Sequence, residues 1–283
     1  MRRYIAIILL TLCAVSGSAI NTDSLPQVCP VTSAFMLEAG SSHIADTYLT
    51  PLHYTGWHAG LDYQRRQAMS FTPQRWVMDL RASITGDRAQ NPAHNASMWA
   101  LCLEASWSMT RRWNVFDRLR VAIGPCTSIN AGVLYLARNG NNPCAARGSW
   151  ELGAQGSAAY DLHILGKTIT LSYDVTMPLT GIFFTPDYGQ LYYEIWLGQR
   201  DGLVSGIWPG NYFRLDNRVM ADIHFGATTL RLGYRCDIHS TRARGITTRQ
   251  FDHAAVIGIV CKWLSLPSSA TLTPQARIIS ASY

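Results

Sequence analysis

The sequence predicts an all-β fold: an antiparallel transmembrane β-barrel of about ten strands, with twelve as the alternative. Three observations lead there. Long segments alternate apolar and polar residues with a period of two, the pattern of strands with two unlike faces. The apolar face of these segments repeatedly ends in Trp or Tyr, as the interfacial girdles of a barrel in lipid do. Two hairpins can be registered from the residues alone, with apolar set against apolar.

The alternation opens at Thr55, Trp57, Ala59, Leu61 and Tyr63, set against Gly56, His58, Gly60, Asp62 and Gln64. It recurs in Trp76–Ile84, Trp99–Met109, Trp150–Leu162 and Ile169–Met177. Ten strands follow, near 33–44, 54–66, 74–86, 96–110, 117–136, 146–163, 168–178, 213–225, 228–239 and 250–264. Many exceed ten residues, whereas soluble strands usually run to about five or six. A soluble β-sandwich also alternates, and this length argues against it. Trp99 and Trp107 are separated by about 26 Å along a strand. At a tilt of about 40° that spans roughly 20 Å of height, close to the apolar band of an outer-membrane barrel.

Leu162 with Ile169, Tyr160 with Leu171 and Ala158 with Tyr173 share one register, which centres a tight turn on Leu165-Gly166. Ile223 with Leu230, Ala221 with Leu232 and Val219 with Tyr234 centre a second on Gly226-Ala227. The even-numbered connections read as short periplasmic turns and the odd-numbered ones as longer outer loops. Residues 179–212 read either as one long loop or as two more short strands.

The N-terminus predicts export. Arg2 and Arg3 precede an apolar run from Tyr4 to Val15, and Ser16-Gly17-Ser18-Ala19 follows. This is the layout of a secretory signal peptide, cleaved after Ala19. The divisions read from sequence are a signal peptide at 1–19, a periplasmic arm at 20–32, a barrel at 33–264 and a tail at 265–283. The expected location is the outer membrane of a Gram-negative bacterium. Charged residues make up 15% of the 283-residue chain and aromatics 11%, against a typical charged share of about 25%. Without Arg2 and Arg3 the net charge is about +4, a mild and scattered excess that does not point to nucleic acid.

The motifs Pro186-Asp187-Tyr188-Gly189-Gln190-Leu191-Tyr192-Tyr193-Glu194-Ile195 and Arg138-Asn139-Gly140-Asn141-Asn142-Pro143, with Leu232-Gly233-Tyr234, resemble a family of exported Bacteroidetes outer-membrane β-barrels carrying a domain of unknown function. The resemblance implies an outer-membrane location and no established activity. One departure is the Ser/Pro-rich segment after Trp263, where such barrels usually end on an aromatic strand.

Charges of both signs fall on the inward parity. Arg75, Asp79, Arg81, Glu104, Glu151, Asp222 and Arg231 are the expected lumen network, paired because an unpartnered buried charge is costly. Mixed signs favour a filled lumen over a selective channel, which a ring of one sign would suit better. A non-enzymatic structural, binding or narrow-transport barrel is therefore the leading reading. The alternative is a protease or lipid hydrolase at the outer rim, where His43, Asp46, His53, Asp87, His94, His239, Asp252 and His253 recur and where Asp252 and His253 are the candidate pair. Cys102 and Cys126 share the inward parity of neighbouring strands and are a candidate disulfide. No metal-ligand spacing, phosphate-binding loop or cofactor motif is present. The expected partners are outer-membrane lipid and the barrel assembly machinery.

Overall fold

The computed structural model describes residues 27–140, 142–164, 166–225, 228–263, 277–278 and 280–281. The signal peptide read from sequence lies outside them. The described residues form thirteen strands and one short helix: β1 Gln27–Val28, β2 Val31–Asp46, β3 His53–Ala68, β4 Trp76–Gln90, β5 Ser97–Phe116, β6 Leu119–Leu136, β7 Cys144–Ile164, β8 Lys167–Phe184, α1 Tyr192–Trp196, β9 Val204–Ile207, β10 Tyr212–Phe225, β11 Thr228–Ala243, β12 Ile246–Trp263 and β13 Arg277–Ile278. Among the described residues no helix is long and apolar enough to cross a membrane.

Ten long strands close on themselves. Each of β2 to β8 pairs antiparallel with the next, β8 pairs with β10, and β12 returns to β2. Following partners from Thr32 through Arg66, Asp79, Ser108, Cys126, Gly153 and Pro178, and continuing the β8–β10 register beyond Thr176 and Asp216 to Arg214, His239 and Gln250, one circuit ends at Ile44. That is about twelve residues up the strand on which it began, the kind of stagger that tilts the strands of a closed barrel. Closure also removes the unpaired edges that an open sheet would present.

Both predicted hairpins have the expected register. Leu162 faces Ile169 and Ala158 faces Tyr173, while Ile223 faces Leu230 and Val219 faces Tyr234. Gly166 takes φ +75°, the left-handed conformation that a two-residue hairpin turn requires.

The loop rhythm needs correction at two places. The second connection, 69–75, is no shorter than the first, 47–52. The ninth is only Arg244-Gly245, both at positive φ (50° and 77°), a tight turn where a long loop was expected.

Residues 179–212 supply neither a plain loop nor two barrel strands. Strand β8 continues past Pro178 because a bulge between Leu152 and Gly153 of the β7 ladder takes up Leu179 as an extra residue. The side-chain phase flips there, and Phe183 turns inward. Above the bulge β8 pairs with the four-residue β9; below it, β8 pairs with β10 from Thr176 to Ile169. A segment holding α1 joins β8 to β9.

Outward positions form the apolar band. Trp57 and Trp99 meet edge-on at 6.3 Å near one end of the barrel, with Tyr135 opposite Trp99 on the next strand. Trp107, Trp113 and Tyr160 lie toward the other end, and Leu61, Ile84, Leu101 and Leu103 are exposed between the rows. Outward Arg65, Arg88, Arg111, Lys167 and Arg249 sit near strand ends.

The N- and C-terminal segments meet at the lower mouth. Strands β1 and β13 pair in parallel, and Ala281 packs with Ala68 and Val77. Arg112 Nη1 donates to the carbonyls of Ser280 (3.0 Å) and Ala281 (3.1 Å).

One inward glycine is required by close approach. A Cβ on Gly40 would lie 1.7 Å from the His253 carbonyl oxygen and 2.7 Å from Ala254 Cα, both backbone atoms of the neighbouring strand. Gly40→Ala is expected to destabilise the barrel by about 1–3 kcal/mol, the usual range for overpacking. Urea unfolding of the refolded protein in detergent checks this; an unchanged midpoint would contradict it.

Candidate functional site

Because strands alternate, every second residue of ten strands points into one narrow space, and the charges there must find partners across it. At the lower level Arg66 of β3 donates to Asp79 (2.7 Å) and reaches Asp174 on the far wall (2.6 Å). Arg81 lies 3.3 Å from Asp79 and 3.4 Å from Asp174. Arg231 grips Asp222 with two hydrogen bonds of 2.7 Å and also donates to Gln64 (2.7 Å).

At mid-height Arg218 of β10 pairs with Asp62 of β3 and with Asp216 (3.0 Å). Arg235 serves Glu38 (2.9 Å), Asp216 (3.0 Å) and Asp237 (3.2 Å). Higher still, Arg214 joins Glu104 of the opposite wall (2.6 Å) to Asp237 (2.8 Å). Glu151 accepts from Ser128, Asn130, Ser149 and Tyr212. Charge-assisted bonds at several heights thus cross the lumen, and each guanidinium fork binds more than one acceptor.

Above this network lies a chamber with about 120 Å³ of internal space, lined by Asp46, His58, Tyr212, Arg214, His239 and Asp252 among others. Its wall holds a compact cluster. His58 Nδ1 is 2.6 Å from Asp87 Oδ1, and its Nε2 is 3.3 Å from Glu38 Oε1. Ser42 donates to Asp252 Oδ1 (2.6 Å). Gln250 Nε2 bridges Asp87 Oδ2 (3.1 Å) and Asp252 Oδ2 (2.8 Å), and Arg147 reaches across to Gln250 Oε1 (2.6 Å). An imidazole set among carboxylates supplies nitrogen and oxygen donors within one small volume.

The segment around α1 roofs the chamber. Tyr48 donates to the Gln190 carbonyl (2.6 Å) and accepts from Asn142 (2.5 Å). Tyr192 packs edge-on against Tyr48 at 5.9 Å and accepts the Ala146 amide (2.5 Å). Arg244 clasps Asp187 through bonds of 2.6 and 2.5 Å, which holds the Asp187 carboxyl below the usual carboxylate range.

Six of the seven predicted network residues join these contacts: Asp79, Arg81, Glu104, Glu151, Asp222 and Arg231. Arg75 does not. It lies exposed in the turn before β4, one residue outside the strand that would have aimed it inward. The candidate pair Asp252 and His253 is also separated. Neighbours in a strand point to opposite faces, so Asp252 meets Ser42 inside while His253 packs outside against Phe251 and Tyr234.

Cys102 and Cys126 both face inward, but Cys102 stands opposite Gly132 and Cys126 opposite Ser108, and both thiols are free. Strand β5 runs on to Phe116, so its turn is Asp117-Arg118 rather than one centred on Asn114. That moves each cysteine's partner along the ladder without changing its face.

Glu38, Arg214, Asp216 and Arg218 were not singled out from sequence, although the last three repeat Arg, Asp, Arg on the inward parity of β10. His58 was read only as an inward strand residue, and its meeting with Asp87 and Asp252 depends on three separate ladders.

A comparison with curated proteins finds no match. Several solved barrels are similar at low identity. The transport unit of the autotransporter AIDA-I from Escherichia coli is 7% identical, with a TM-score of 0.43, over 93% of this chain and 97% of that one. The translocator domain of the autotransporter NalP from Neisseria meningitidis is 9% identical, with a TM-score of 0.35, over 91% and 95%. An outer membrane channel from Pseudomonas putida F1 is 11% identical, with a TM-score of 0.34, over 87% and 99%. Residues 5–269 match the family described as a protein of unknown function, DUF3316, and the chain belongs to that family.

Proposed function

We propose that this protein is a non-enzymatic barrel of a Gram-negative outer membrane whose lumen is closed to ions and small solutes. The observation that carries the reading is the set of ion pairs joining opposite walls, Arg66 with Asp174, Arg218 with Asp62 and Arg214 with Glu104. A pathway through the barrel would have to break several of them, and each broken pair leaves charge without a partner in a poorly solvated space. The outer location is supported by the apolar outward band with aromatic residues toward both ends. On this reading residues 1–19 direct export and the barrel assembly machinery inserts the chain. The resemblance noted in its motifs makes a Bacteroidetes cell the expected source.

Two measurements test this together. The protein should fractionate with outer membranes and show heat-modifiable gel mobility. Proteoliposomes carrying it should not swell in isotonic arabinose. Swelling at porin-like rates would contradict the closed lumen, and recovery in the aqueous soluble fraction would contradict the membrane location.

A further inference from the structure

The chamber wall carries a donor set whose two carboxylates have no guanidinium partner among the described residues. His58, Asp87 and Asp252 come from β3, β4 and β12, and one ligand atom from each lies within 4.8 Å of the other two. A tetrahedral zinc ion binds imidazole nitrogen and carboxylate oxygen at about 2.0–2.2 Å, so an ion held by these atoms would take the place of the direct His58–Asp87 contact.

The charge balance at this point is also unlike the rest of the lumen. Among the described residues no guanidinium or ammonium lies within ion-pair distance of Asp87 or Asp252, and His58 is the one base facing Asp87. Asp252 accepts from two neutral donors, Ser42 and Gln250. Directly opposite it on β11 stands a further carboxylate, Asp237, whose own cations are Arg214 and Arg235. Even a charged His58 therefore answers the charge of at most one of these two carboxylates.

A second observation is independent of the cluster. His239, across the ladder from Gln250 and lining the same chamber, has a buried Nε2 with no hydrogen-bond partner among the described residues. A polar atom in that state is costly unless something else satisfies it.

We propose that His58, Asp87 and Asp252 form a binding site for one divalent transition-metal ion, with its remaining coordination position open to the chamber. One imidazole and two carboxylates suit Zn²⁺ or Mn²⁺ better than a soft ion that prefers thiolates. Ser42 and Gln250 would orient the carboxylates from behind, as outer hydrogen-bond partners do at metal sites. The inference does not depend on whether the lumen conducts.

The test is calorimetric titration of the metal-stripped full-length protein in detergent with ZnCl₂, repeated with CoCl₂ while visible absorption is recorded. The expected result is one ion per chain and Co²⁺ bands of a low-symmetry nitrogen and oxygen site. Asp252→Asn, which keeps the side-chain shape, should weaken Zn²⁺ at least tenfold, and His58→Gln more, while the His53→Gln, His94→Gln double variant binds as the wild type does. Heat-modifiable mobility establishes that each variant is folded. If His58→Gln does not fold, the Asp252→Asn titration decides. No ion bound by the wild type, or equal affinity in a folded Asp252→Asn protein, would overturn the proposal.

Discussion

Replacing Arg235 by leucine should destabilise the barrel by about 3–5 kcal/mol, the range for removing one partner of a buried ion pair. The reason is local. Arg235 is buried and bonds three carboxylates, Glu38, Asp216 and Asp237. Leucine fills part of its volume and answers none of their charge. Asp216 would keep Arg218 and Asp237 would keep Arg214, whereas among the described residues Glu38 would keep only its contact with His58. Reversible urea unfolding in lipid vesicles measures the loss. Arg75→Leu is the matched control: Arg75 is an exposed turn residue, and surface changes usually stay within about 0.5 kcal/mol. Equal effects from the two substitutions would contradict the lumen network.

The second large effect is expected on the other face. Leu103 is outward and 50% exposed, between Trp99 and Trp107 on β5. If that face meets hydrocarbon, Leu103→Arg puts a charge near the middle of the band and should cost about 2–4 kcal/mol. Thr55→Arg, outward near the upper end of β3, should cost no more than about 1 kcal/mol, because the penalty fades toward the interfaces. In a water-facing sheet both substitutions would be nearly neutral, so the depth dependence itself is diagnostic. Equal and small effects would remove the band from lipid.

How much of this was legible in the sequence follows from what a period of two encodes. It encodes faces, so the apolar band and the inward charges could be read directly. It does not encode partners, which depend on where each turn falls. The β7–β8 and β10–β11 hairpins could be registered because the sequence sets a glycine between matched apolar runs, whose pairing is as expected. The β5–β6 hairpin could not, because Trp113, Val115 and Phe116 carry the strand beyond its expected end. Its register slipped by an even number of residues, leaving Cys102 and Cys126 on the right face with the wrong neighbours.

Residues 179–212 were opaque for a related reason. The bulge at Leu179 flips the alternation, and a flipped phase reads locally as the end of a strand. The cross-lumen contacts were less legible again. Arg214 meets Glu104, 110 residues away in the chain, because stagger and tilt bring those walls together, and neither can be counted before every ladder is registered. The Asp252–His253 pairing failed on the simplest rule, since adjacent strand residues cannot share a face.

The central claim is that side-chain pairing seals the lumen, and planar-bilayer recording of the purified wild-type protein tests it most directly. The expected record is a silent bilayer, without stepwise conductance in 1 M KCl, from protein whose heat-modifiable mobility shows that it is folded. Stable single-channel steps of porin size from the same preparation would contradict the account.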